Sequence, residues 1–473
     1  MKSTEKPGPE FKAWLKADSR FPGAKSALIL LLLINLFNYV DRQILSAVIG
    51  PIKKTFFSQN GDIGAAGGFL SAAIHWLQTQ LGFKPEDALL GLLGTAFMLT
   101  YMVGAPIFAR LAEKRSRWRL VALGVLLWSL ASGASGLAQT FVMLLLTRCC
   151  VGIGEAAYGP VAPAMISDMF PLKIRGKVLA WFYVAIPVGS ALGYVLGGWV
   201  ANSNLGDWAA GWSGLQHESW RWAFFLVTLP GVLLGLLSVL MREPPRGDPD
   251  SGPPAGPASV KWRNYWILAR TPSYVLCTLG QTAMTFAIGG IAFWMPYYLE
   301  SRPGAPRHST VIFGAITAVA GLSATLLGGI AGDKLRDRFS GSYFLVSGIA
   351  MIAGFPIFLA ALRAPFPWAI WVMVFFACFC LFFNTGPTNT ILANVTHPSM
   401  RAAAFAFNIF IIHAFGDVIS PVVIGFLNDW YRNMNTSFLV VGLMFLVAGV
   451  LWLAGTRYLQ RDTVMASHRL RQP

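Results

Sequence analysis

Four ionisable side chains stand where charge is expensive. Asp41 and Arg42 sit in LFNYVDRQIL, and Arg148 and Glu155 sit in RCCVGIGEAAYGP, both within long apolar runs. A charge at a bilayer centre costs at least ~2.5 kcal/mol, so such groups turn inward, pair with one another and serve function. Asn35, Asn38 and Arg42 fall at i, i+3 and i+7, with Asp41 three residues after Asn38, which makes a polar stripe on one helix. Arg148 and Glu155 are two helical turns apart, and Tyr158 continues their face. Arginine keeps its proton, and its planar fork suits phosphate or carboxylate. An acid in a partly dry cavity is pulled toward its neutral form by desolvation and toward its charged form by a neighbouring arginine. Asp41 and Glu155 are therefore expected to carry protons. Arg42 and Arg148 are expected to recognise an anion, with Asn38 and Tyr158 beside them. The alternative is a buried ion-pair network that only fixes helix packing.

The second half of the chain is poorer in such groups. His413 and Asp417 are i, i+4 on one face, either a second titrating pair at the site or a polar packing pair. Asn384, Thr385, Thr388 and Asn389 surround Gly386-Pro387, where a helix break frees backbone groups that need protein or a cavity beside them. Thr388 is the substrate-facing candidate there, against a simple kink. Asp168 ends an apolar run just before PLKIRGK and reads as a gating residue paired with loop arginines.

The elements that must hold these groups are membrane helices. Of 473 residues, 55% are hydrophobic and 12% charged, with mean hydropathy +0.56. A soluble domain carries about 25% charged residues. Soluble enzymes, coiled coils, disordered chains and disulfide-stapled domains are excluded. So is a porin-like barrel, whose strands would alternate in polarity over about ten residues. The apolar runs predict twelve spans, over about 27–49, 87–109, 119–138, 141–168, 177–200, 220–241, 273–299, 309–332, 342–362, 367–393, 401–427 and 435–457. A Pro/Gly-rich linker, 242–271, divides them into bundles at 27–241 and 272–458, with tails at 1–26 and 459–473. The fold class is thus all-α membrane protein, twelve transmembrane helices in two pseudo-symmetric six-helix bundles.

Loop charge tests that count. Of the 37 Lys and Arg, 27 fall on the side of the termini, 8 on the other, and Arg42 and Arg148 lie within spans. The asymmetry obeys the positive-inside rule and puts both termini in the cytoplasm. The net charge of +16 is spread over inter-helix loops with no contiguous face, so nucleic acid is not an expected partner, whereas anionic membrane lipid is. The polar, basic start of the chain has no cleavage site at a signal-like distance. All five cysteines lie in apolar runs without metal-ligand spacing and read as packing residues. FLSAAIHWLQTQL, Phe69–Leu81, has helical spacing and predicts a short interfacial helix in an enlarged loop.

The halves repeat. ARLAEKRSRWR, Ala109–Arg119, and GGIAGDKLRDR, Gly328–Arg338, each follow the second span of a half. Parallel repeats are a transporter architecture with the site between them near the midplane. Twelve spans, a central linker and this repeated loop resemble the major facilitator superfamily. The first copy departs from the family's Gly-x-x-x-Asp-Arg-x-Gly-Arg-Arg, having Ala109, Glu113, Lys114 and Ser116 where that pattern has Gly, Asp, Arg and Gly; the second keeps Asp333 and Lys334. The resemblance implies that this loop latches a gate, with Glu113, Arg117, Asp333 and Lys334 as gate residues beside Asp168. It also implies that Asp41, Arg42, Arg148 and Glu155 share one central water-filled pocket. LFNYVDRQILSAV, Leu36–Val48, and the stretch Gly152–Gly198, with GIGEA and AIPVGSALGY, are similar to the Spinster branch. That likeness implies export of lysolipids, including lysophospholipids and sphingosine-1-phosphate, with proton coupling in some members.

The expected function is then secondary active transport of an amphiphilic anionic lipid by a monomer, coupled to protons, in a bacterial inner membrane and without a cofactor. AFWMPYYL, Ala292–Leu299, and FFACFCLFFN, Phe375–Asn384, are candidates for the wall along the lipid tail. A small organic-anion symporter or drug exporter of the same fold is the competing reading. A membrane-embedded enzyme is excluded: the six histidines are scattered, no HxxxxD string occurs, and no ATP-binding motif is present.

Overall fold

The computed structural model describes residues 23–57, 72, 76, 78–80, 82–170, 172–208, 218–244, 262–302, 306, 308–397 and 400–466. Twelve helices among them are long and apolar enough to cross a membrane. Spans 1 to 6 are Ala24–Ala47, Glu86–Lys114, Arg117–Gly136, Phe141–Met169, Trp181–Ala201 and Trp220–Val239. Spans 7 to 12 are Pro272–Glu300, Ser309–Arg336, Ser342–Arg363, Pro367–Val395, Ala403–Tyr431 and Met434–Gly455. Span 5 belongs to a longer helix that begins at Leu172. Short helices Ile49–Phe57, Trp262–Ala269 and Leu459–Met465 extend or flank them. Most of Phe69–Leu81, and with it the expected interfacial helix, lies outside the described residues.

The packing repeats between halves. In the first, span 1 packs on 5, 2 on 4 and 3 on 6; in the second, 7 packs on 11, 8 on 10 and 9 on 12. The bundles meet along spans 2 and 11 and along spans 5 and 8. Val103, Leu229, Leu326 and Leu443 stay exposed on outward faces. Lipid solvates such faces, while aromatic, aliphatic and small side chains fill each bundle, the small ones letting helices approach.

The interruptions of spans 4, 10 and 11 each have an identifiable reason. Span 4 breaks into turns between Phe141–Ala156 and Val161–Met169. Pro160 there has no N–H to continue the ladder, and Gly159 N–H bonds back to the Glu155 carbonyl at 3.0 Å. Span 10 breaks at Phe383–Asn384, four residues before Pro387, whose ring excludes the usual bond to the Phe383 carbonyl. Span 11 widens into a π turn at His413–Asp417, with Val418 N–H reaching the His413 carbonyl at 3.2 Å. Such turns often accompany functional sites.

Candidate functional site

A cavity of about 570 Å³ lies between the first bundle and span 11. Its lining runs from Arg42, in the distal part of span 1, and from Glu155 and His413, nearer the middle of spans 4 and 11, to Ala109, Pro163 and Ala406 near the face that carries the termini. The break in span 4 puts Glu155 and Tyr158 on this wall. At its head Arg42 meets Glu155: Nε and Nη2 lie 2.7 and 2.6 Å from the same oxygen, Oε2. The guanidinium also sits over the rings of Tyr39, Phe97 and Tyr101 at 4.9, 5.1 and 5.2 Å. Three aromatic faces and one carboxylate fix the fork while leaving it 18% exposed. The rest of the wall is largely apolar, from Met102 and Pro106 of span 2, Phe182 and Ile186 of span 5, and Ile409 and Phe410 of span 11.

Asp41 and Arg148 stand one layer back. They are 2% and 1% exposed, and neither lines the cavity. Asp41 accepts a hydrogen bond from Ser132 of span 3, and its other oxygen has no partner among the described residues. Arg148 is electrostatically coupled to Asp41 and Glu155 and lies over the Phe97 ring at 5.6 Å. Among the described residues its Nε and Nη1 have no hydrogen-bond partner, nor do Glu155 Oε1 and Asn38 Nδ2. Two acids and two arginines thus form a neutral group with hydrogen-bonding capacity to spare. All four were expected in one wet pocket; Arg42 and Glu155 face it, and the other two back them. Spacing gives the face of a helix but not which neighbour covers it.

The remaining expected residues divide. Asn38, Tyr158 and His413 line the cavity; Tyr158 donates to the Leu31 carbonyl at 2.7 Å, and His413 Nδ1 lies 2.9 Å from Asp417. Thr388 does not line it: fully buried, it donates to the Asn384 carbonyl and accepts from Gln281 Nε2 at 3.1 Å. The tail wall expected from spans 7 and 10 lies elsewhere too. Trp294 is buried and bonded to the Pro421 carbonyl, and Phe375 stacks on Phe379. Arg117 is buried and joins Asp168 of span 4 to Glu243, whose Oε1 it meets at 2.7 Å. Burial opposes ionisation of Glu243, but hydrogen bonds from Arg117, Ser116 and the Trp118 N–H outweigh it and hold the carboxyl below its ordinary range. Glu113, Asp333 and Lys334 are exposed, and Asp333 accepts from Tyr343 of its own bundle at 2.8 Å.

Sequence reasoning missed Tyr39, Tyr101 and Glu243. It also missed a polar group that joins the bundles at the face away from the termini: Lys53, Asp87, Asn428 and Asp429. Aromatic residues are common in every span and gave no signal. The acids could have been noticed as charges at span ends on the poorly charged side. Among the described residues no His, Cys, Asp and Glu group could hold a metal ion.

A family model described as Major Facilitator Superfamily matches residues 31–416. Protein spinster homolog 1 of Homo sapiens is 35% identical over 443 residues, covering 88% of this chain and 76% of that protein. A sphingosine-1-phosphate transporter of Danio rerio is 31% identical over 432 residues, covering 84% of this chain and 82% of its own. Among solved structures, a bacterial homolog of the human lysosomal transporter spinster, inward-facing and occupied, superposes with a TM-score of 0.76 at 22% identity, covering 93% of this chain and 99% of that one. A D-xylose–proton symporter gives 0.68 at 16% identity, over 92% of this chain and 98% of its own. The structural likenesses carry the fold.

Proposed function

This chain belongs to the Major Facilitator Superfamily and, within it, to the Spinster transporters, and on that premise we propose that it moves a lysophospholipid or a sphingosine-1-phosphate-like lipid by alternating access, coupled to protons. It is a multi-pass membrane protein and a transporter, not an enzyme. The observation that carries the substrate class is the head of the cavity: one partly exposed guanidinium, cradled by aromatic rings, above an apolar wall. A fork of that kind takes a phosphate, and a wall of that kind takes an acyl or sphingoid chain. The Danio rerio relative, named for sphingosine-1-phosphate transport, supports the same class. The asymmetry of loop charge supports termini in the cytoplasm, and we assign the chain to a bacterial inner membrane.

Coupling follows from competition for one arginine. Ionised Glu155 occupies the Arg42 fork. Protonation of Glu155 releases Arg42 to a head group, so proton and anion favour each other's binding, by linkage. Asp41 and Arg148, directly behind, give the proton and the freed charge a second partner. His413 contributes a polar group from the opposite bundle. Arg117 and Asp168, with Glu243, brace the first bundle at the terminal face, and we assign the exposed Glu113, Asp333 and Lys334 to gate contacts in the other state.

The test is uptake of a labelled lysophospholipid into proteoliposomes. Arg42→Ser is expected to reduce transport at least tenfold, consistent with the worth of a charge-assisted pair, while the melting temperature in detergent stays close to wild type. Normal uptake by a folded Arg42→Ser protein would overturn the head-group assignment. Thermal stabilisation by sugar acids but not lysolipids would turn the reading to a small-anion symporter.

A further inference from the structure

The cavity is closed at the face away from the termini, and the closure has specific chemistry. The first turn of a helix leaves amide N–H groups without carbonyl partners. At the start of span 2 those of Asp87 and Ala88 are taken by a carboxylate from the opposite bundle: Asp429 Oδ1 accepts from Asp87 N at 3.0 Å and Oδ2 from Ala88 N at 2.8 Å. The Asp87 carboxylate in turn accepts from Asn428 Nδ2 at 2.5 Å and from Lys53 Nζ at 2.6 Å. Lys53 also lies over the Tyr297 ring of span 7 at 5.8 Å. The backbones are close enough that a Cβ on Gly91 would lie 2.4 Å from the Pro421 carbonyl oxygen, and one on Gly425 2.2 Å from that of Asp87.

We propose that Asp429 is an inter-bundle helix cap that latches the distal gate, with Asn428 and Lys53 closing it onto Asp87. A cap of this kind exists only while the bundles touch. Opening the distal face must withdraw a carboxylate from two amides and part Asn428 from Asp87, so the latch favours the state whose cavity opens toward the termini. Its parts tie span 11, which also carries His413, and span 7 to span 2 and to the short helix Ile49–Phe57 that follows the span of Arg42. Head-group binding and gate release are thereby placed on shared rods. The inference rests on the alternating-access reading above.

The test measures the gate itself. The full-length protein, with Cys149→Ser and Cys150→Ser, receives spin labels at Lys54→Cys and Asn433→Cys, and the distance between them is recorded in lipid nanodiscs without substrate. Asp429→Ala is expected to raise the distal-open population roughly three- to thirtyfold, the range for loss of a capping side chain. Asp429→Asn, which keeps a single acceptor oxygen, should give a smaller shift. Asp462→Ala is the control: Asp462 caps Ser273 N–H at 2.8 Å by the same chemistry, but within one bundle. It should leave the distance unchanged. A folded Asp429→Ala protein with the wild-type distribution, or an equal shift from Asp462→Ala, overturns the latch. Should Asp429→Ala not fold, Asn428→Ala removes one bond from the same junction and is expected to shift the population severalfold, with no shift overturning the proposal. No substrate is involved, so failure here leaves the lipid assignment standing, and failure of lipid transport leaves the latch standing.

Discussion

Glu155 gives one carboxylate oxygen to Arg42, while the other has no hydrogen-bond partner within 3.5 Å among the described residues. That asymmetry sets a pH signature. Acid removes the carboxylate that competes for the fork, so substrate affinity should rise as pH falls on the cavity side. A phosphodiester lysolipid is the right probe, because its own charge does not titrate near neutrality. Glu155→Gln should bind it tightly at every pH and lose gradient-driven accumulation; a Gln variant that still tracks pH would remove Glu155 from the coupling. At the terminal face, Arg117→Ala should cost about 2 kcal/mol, the worth of charge-assisted bonds at a largely buried site. The Glu243 carboxyl is depressed in the folded protein, so its contribution is present above the ordinary carboxylate range and is lost as pH falls through the folded value. Thermal melts at decreasing pH should therefore show a weaker acid-side loss in the Arg117→Ala protein than in wild type. The four intramembrane charges were legible because each interrupts an apolar run. Which of them touch the cavity was not, because depth depends on Ser132 and Phe97 from other helices.

Helix breaks supply the shape that residues alone cannot. Pro387 announced an interruption that packing absorbs, with the Phe383 carbonyl oxygen 1.8 Å from where a Cβ on Gly328 would stand, whereas the break at Pro160, in a run read as one continuous span, opens on the cavity. The π turn at His413–Asp417 left no legible trace, because span 11 is apolar on most faces and hides the shift of register that one extra residue makes. Close contact of spans 2 and 11 was equally invisible, because glycine is frequent in membrane helices. It makes a steric prediction. Gly425→Val places carbon where the Asp87 carbonyl stands, a clash of the overpacking kind worth about 1–3 kcal/mol. The distal face should then be held apart, and a membrane-impermeant thiol reagent should modify Lys53→Cys about tenfold faster or more in that background. Unchanged labelling would show that the spans accommodate the side chain without parting.

At the scale of the molecule, span number and the pairing of halves follow from apolar length, the central linker and loop charge, all properties of sequence. The angle between bundles does not. It depends on a few contacts at their ends, each too small to leave a pattern. Orientation is testable: alkaline phosphatase fused after Gly304 should be active in a bacterial host, and a fusion at Pro473 inactive. The reverse result would invert the assignment of both faces.

The cavity wall is unevenly owned. Among the described residues, Ala406, Ile409, Phe410 and His413 are the second bundle's share, all from span 11, and no arginine, lysine or acid is among them. Under the proposed cycle a charged cargo is therefore carried by one hull while the other swings past as a greasy shutter. Changes in tail length can accumulate on a single rod of the shutter without disturbing the anchorage of the charge. Relatives that share the anchor are then free to differ widely in the chains they accept.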